Sequence, residues 1–69
     1  MSPTYKMVTL VGCSARSYED AIQQAVADAG KTLRNLGWFE VMEMRGRIAD
    51  GKVAEYQVKI QVGLRVESS

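Results

Sequence analysis

The chain has 69 residues, a formal net charge of +1 from nine basic and eight acidic side chains, one cysteine and no histidine. That length is expected to make a single domain over residues 1–69, near the lower limit for a self-sufficient core, which usually needs a disulfide, a metal or self-association. A lone Cys13 excludes an internal disulfide and, without histidine, supplies neither a Cys–His nucleophile nor a structural zinc set. The interspersed charge excludes the broad field that draws nucleic acid or anionic membrane.

Self-association is therefore the expected support. An unpaired thiol fits a reducing compartment. The start Met1-Ser2-Pro3-Thr4 lacks the apolar stretch of a signal peptide, and no apolar run approaches the ~20 residues of a membrane span. A soluble, cytoplasmic protein is expected.

In chain order, Thr4 to Val11 reads as a first strand closed by Gly12. Val8 and Leu10 fall on one face; Tyr5, Met7 and Val11 fall on the other. A strand apolar on both faces tends to be buried on both, and in so small a chain the second cover would be another subunit. Gly12 to Arg16, with Cys13 packed inertly inside it, reads as a turn. Ser17 then resembles an N-cap before an acidic first turn. Ile22, Ala25, Val26, Ala29, Leu33 and Leu36 recur at helical spacing, so a helix is predicted over residues 18–36. Gly37 stands where a left-handed C-cap would fall.

The second strand is predicted from Trp38 to Ile48. Phe39 and Val41 point inward, but the same phase would bury Glu43, Arg45 and Arg47. A bulge near Met42-Glu43 resolves the conflict, placing Met44 and Ile48 inside and the charges outside. Asp50-Gly51 is a two-residue hairpin signal. The third strand, Val53 to Val66, turns Ala54, Tyr56, Val58, Ile60, Val62, Leu64 and Val66 one way, with Glu55, Gln57, Lys59, Gln61 and Arg65 on the other. The order β-α-β-β implies an α+β fold, a three-stranded antiparallel sheet over one helix.

Catalytic groups are not apparent: there is no nucleophile–base pair, metal-ligand cluster or phosphate loop, so no catalytic residue and no metal ligand is assigned. What remains is a surface. Trp38 and Phe39 are neighbours in a strand, so they face opposite sides, and one ring must be covered by another subunit or a flat ligand. Trp38 points away from the helix if Phe39 points toward it. Gln57, expected opposite about Glu43 or Met44, shares that outer side with Arg45, Arg47 and Arg65. Indole offers a stacking face, the amide offers donor and acceptor to a uracil-like edge, and the guanidiniums suit phosphate. The ordinary reading stays open beside this one: Trp38 as a subunit anchor, Gln57 as a solvated strand residue, and the arginines paired with Glu40, Glu43, Glu55 or Glu67.

The sequence resembles the dodecins, small flavin-binding proteins that assemble as hollow dodecamers. The likeness runs nearly end to end, through Tyr5-Lys6-Met7-Val8, Val11-Gly12-Cys13-Ser14, Lys31-Thr32-Leu33-Arg34, Leu36-Gly37-Trp38-Phe39-Glu40-Val41, Met44-Arg45-Gly46, Glu55-Tyr56-Gln57-Val58 and Val62-Gly63-Leu64-Arg65-Val66-Glu67. The resemblance implies that Trp38 stacks on flavin and that Gln57 hydrogen-bonds its ring edge. It implies FMN as the ligand, with riboflavin or FAD as variants, and flavin storage and buffering with quenching of flavin photochemistry as the role. Arg45 and Arg65 match basic positions near the flavin or subunit junctions. Coenzyme A is a further ligand it suggests, with Lys6 and Arg65 as contacts. Cys13 departs from the threonine usual in that turn. The alternatives are a structural homo-oligomer without small ligand, single-stranded nucleic-acid binding, and flavin enzymology.

Overall fold

The structure is a computed structural model and describes residues 2–66. Four elements follow one another: β1 (Tyr5–Ser14), α1 (Tyr18–Thr32), β2 (Leu36–Ala49) and β3 (Lys52–Arg65). The strands form one antiparallel sheet in the order β1-β3-β2, with β3 central. This is the expected β-α-β-β topology.

The helix begins as its sequence demands. Ser17 takes an extended conformation and its hydroxyl accepts the backbone N–H of Asp20 at 3.0 Å, satisfying one of the free amides of the first turn. Ser14, buried at the end of β1, donates to the Asp20 carboxylate at 2.6 Å and accepts the Arg16 N–H at 2.9 Å. Gln24 donates to the same carboxylate at 2.7 Å. The Ser14 hydroxyl first, then the Gln24 amide and the charge of Arg16, hold the Asp20 carboxyl below its ordinary value.

The buried helix face is Ala21, Ala25 and Ala29, with Ile22 and Val26 on its flank. Small side chains let α1 sit close on the sheet, and Gly12 completes that approach. A Cβ on Gly12 would lie 2.3 Å from the carbonyl oxygen of Ala21 and 2.9 Å from Ala25 Cβ. Gly12 therefore does not close β1: the strand runs on to Ser14, and Cys13 is an exposed strand residue rather than part of a turn. Val58, Ile60 and Val62 complete the core, with Leu10, Tyr18 and Leu36 packed around them.

The helix stops at Thr32, four residues short of the predicted end. Leu33 is already extended, and its N–H closes the last turn on Ala29 at 2.9 Å. Asn35 takes the left-handed conformation (φ 62°) that the sequence reading assigned to Gly37. Asparagine tolerates that region better than other non-glycine residues. Asn35 also accepts the Arg65 N–H at 3.0 Å, which pins the start of β2 beside the end of β3. Leu33 and Leu36 thus keep their apolar role off the helix, and Gly37 lies inside β2.

The hairpin turn is Asp50-Gly51, both with positive φ (54° and 73°), as a two-residue turn of this twist requires. The bulge falls where the charges called for it: pairing runs Val41↔Ile60, then Glu43↔Lys59, leaving Met42 as the extra residue. Glu43, Arg45 and Arg47 consequently oppose the outward residues of β3, and Met44 opposes Val58. Two further irregularities, at Leu36/Trp38 and Arg47/Ile48, were not foreseen. Within this chain Met44 and Ile48 are not inside: they are 55% and 74% exposed. A 15-residue helix rises about 22 Å, whereas 14-residue strands extend about 46 Å. The helix reaches only half of the hairpin. Among the described residues no helix is long and apolar enough to cross a membrane.

Candidate functional site

The face of the sheet turned away from α1 carries two separate groups of side chains. At one end, Trp38 pairs across β3 with Gly63, and Gly63 in turn pairs with Met7 of β1. The indole occupies the space where Gly63 has no side chain: a Cβ there would fall 2.4 Å from Cζ2 and 2.5 Å from Cε2 of Trp38. Val62 points into the core, so its neighbour Gly63 marks the opposite face, and the indole lies on that outer side. Tyr5 meets it edge-on, with ring centroids 5.0 Å apart at 72°. Trp38 remains 41% exposed. Phe39 pairs with Val62 on the helix side and borders a shallow apolar groove with Val26 and Leu36. The two rings therefore part to opposite faces as expected, and no helix covers the indole.

At the other end, Gln57 lies between Cys13 of β1 and Arg45 of β2. It opposes Arg45 rather than Glu43 or Met44, because the irregularity between Arg47 and Ile48 shifts the count from the turn. Arg45 Nε donates to Gln57 Oε1 at 3.0 Å, and Gln57 Nε2 donates to Glu55 Oε1 at 2.8 Å. Around this chain of bonds stand looser ion pairs: Lys59–Glu43 at 3.6 Å, Arg45–Glu43 at 3.9 Å and Arg47–Glu55 at 4.0 Å. Such exposed pairs contribute little to stability. The ordinary reading of Arg45 and Arg47 as partners of Glu43 and Glu55 is thus realised in this protomer; a pairing with Glu67 lies outside the described residues.

One protomer does not unite these groups. Gln57 is six residues along β3 from Gly63, the partner of Trp38, a distance of ~20 Å in an extended strand. Arg65 opposes Tyr5 on the outer face near Trp38, whereas Lys6 opposes Leu64 and so lies on the helix side. Sequence reasoning missed three participants: Tyr5 against the indole, Gly63 beneath it, and Glu55 holding Gln57. The last had a signal, since Glu55 and Gln57 are two apart on one strand and share a face. Among the described residues, no group of three or more His, Cys, Asp or Glu side chains is placed to hold a metal ion.

A family model described as Dodecin matches residues 4–67. A curated Thermus thermophilus protein named Dodecin is 54% identical over 69 residues, spanning all of both chains. The solved structure of dodecin from Streptomyces coelicolor superposes with a TM-score of 0.94 at 45% identity, covering 97% of this chain and 96% of the other. The crystal structure of the W38F mutant of Thermus thermophilus dodecin superposes with a TM-score of 0.93 at 52% identity, covering 97% of this chain and all of the other.

Proposed function

This chain belongs to the dodecin family, and on that premise we propose that it binds and stores flavin, FMN foremost, with riboflavin or FAD as variants, in a hollow homododecamer. The role is to buffer the flavin and suppress its photochemistry, without catalytic turnover. The observation that carries this reading is the indole of Trp38, seated on the outer face over Gly63 and left 41% exposed. An indole stacked on flavin returns the excited ring to its ground state by electron transfer, which needs no acid, base or metal.

The ~20 Å between Trp38 and Gln57 within one chain means that the two contribute to one ligand only from different subunits. Assembly supplies what the protomer lacks in two respects. It brings Trp38 of one copy to Gln57 and Arg45 of another, and it covers the apolar surface left by the short helix. Lys6 and Arg65 lie on opposite faces of the sheet, so no single face presents both to a coenzyme A molecule.

The test is a titration of FMN into ligand-free protein, followed by flavin emission. Emission is expected to fall on binding. Trp38→Ala is expected to weaken binding by ~1–3 kcal/mol, the scale of one aromatic stack, and to restore emission. Trp38→Phe, a change that the fold of Thermus thermophilus dodecin tolerates, keeps a ring but removes the electron-rich indole, so emission recovers more than affinity falls. FMN emission that the wild-type protein leaves unchanged would favour a structural oligomer without small ligand.

A further inference from the structure

The amide of Gln57 has one orientation, and its two neighbours dictate it. A guanidinium can only donate and an ionised carboxylate can only accept. Arg45 Nε at 3.0 Å therefore requires Gln57 Oε1, and Glu55 Oε1 at 2.8 Å requires Gln57 Nε2. Exchanging the two ends of the amide would set donor against donor at Arg45 and acceptor against acceptor at Glu55. Once both bonds are made, the amide retains one acceptor site on Oε1 and one hydrogen on Nε2.

We infer that Glu55 is a positioning residue which, with Arg45, locks the Gln57 amide so that the site selects ligands carrying an imide or lactam N–H beside a carbonyl. The inference rests on the flavin reading above and names the part of the ring that is read. The N–H of such a ligand meets Oε1 and its carbonyl meets Nε2; a ligand presenting two acceptors, or a methylated nitrogen, leaves Oε1 facing no donor. Glu55 acts through Gln57 and does not itself touch the ligand. Arg47 stands beside that carboxylate as a loose ion pair, its Nε 4.0 Å from the same oxygen.

The experiment measures dissociation constants of riboflavin and 3-methylriboflavin, by flavin emission, for the wild-type protein, Glu55→Thr, Glu55→Gln, Gln57→Leu and the Glu55→Thr/Gln57→Leu double variant. Threonine keeps strand propensity but is too short to reach Gln57; glutamine keeps an accepting oxygen at full length. Glu55→Thr is expected to weaken riboflavin about tenfold, the scale of one lost hydrogen bond to a charged group, and to narrow the preference for riboflavin over its 3-methyl derivative. Glu55→Gln restores most of both. In the Gln57→Leu background, Glu55→Thr changes nothing further, because its only route to the ligand is gone. An equal loss in both backgrounds, or a preference that Glu55→Thr leaves intact, overturns the role of Glu55 while leaving flavin binding standing. Wild-type protein that leaves riboflavin emission unchanged overturns the functional reading itself and the inference with it.

Discussion

Val58, Ile60 and Val62 on β3 are 0–2% exposed, while Met44, Ile48 and Val53, apolar residues of the same hairpin, are 55%, 74% and 56% exposed. The local pattern is similar around both sets: β-branched and long apolar side chains alternate with charged ones. The difference is what lies above them. α1 and its alanine face lie over β1 and β3; β2 stands beside them, exposed almost throughout, and the turn end of the hairpin extends past the start of the helix. Alternation along a strand states which side is meant to be dry, but dryness itself needs a second layer. Over β1 and β3 that layer is encoded in the chain; over β2 and the turn end of the hairpin this chain supplies none.

The contrast can be broken from the covered side first. Ile60→Ala removes a fully buried side chain and is expected to cost about 2–5 kcal/mol of stability, read from the midpoint of denaturant unfolding. Gly12→Ala drives a methyl against the backbone of α1 and is expected to cost about 1–3 kcal/mol by overpacking, with the same measurement. A change of only a few tenths would mean that the helix does not rest on β1 as described.

From the uncovered side the effect moves from folding to association. Ile48→Ser is expected to leave the circular dichroism of the protomer unchanged. It should weaken assembly by about 1.5–3 kcal/mol per copy, the worth of burying one such side chain, as read by sedimentation. Unaltered assembly would remove Ile48 from the subunit boundary.

The smallest effect sharpens the picture at the start of the helix. Asp20 titrates below its ordinary value of 3.8 because Ser14 and Gln24 hydrogen-bond its carboxylate. A depressed folded value adds stability above the unfolded one, and that stability is lost as pH falls from about 3.8 through the folded value. Asp20→Asn is expected to flatten the pH dependence of stability in that acid window and leave it unchanged near neutrality.

Much of this was legible in the residues. The buried phase of β3, the Asp50-Gly51 turn and the slip at Met42 each follow from a local conflict or signal with one physical solution. Burying Glu43, Arg45 and Arg47 was never affordable, so the strand had to shift. What was hidden depended on contacts between distant parts. Gly12 looks like punctuation in a sequence, but it is a strand residue over which a helix carbonyl passes. Leu33 and Leu36 continue the helical spacing of α1, yet Asn35 turns the chain because its carbonyl and amide reach the end of β3. At the candidate site, Trp38 and Gln57 were correctly placed on one face. Their separation by several residues along the strand also followed from counting back from the turn, whereas the partner of Gln57 and the grip of Glu55 on it required the register that the irregularities in β2 determine.

The missing side chain at position 63 has a consequence of its own. Because the indole rests directly on backbone there, a single methyl group would act as a shim beneath it, tilting or lifting the ring. An absent carbon thus sets how low the ring rides on the sheet, and Gly63→Ala is the smallest change that would raise it.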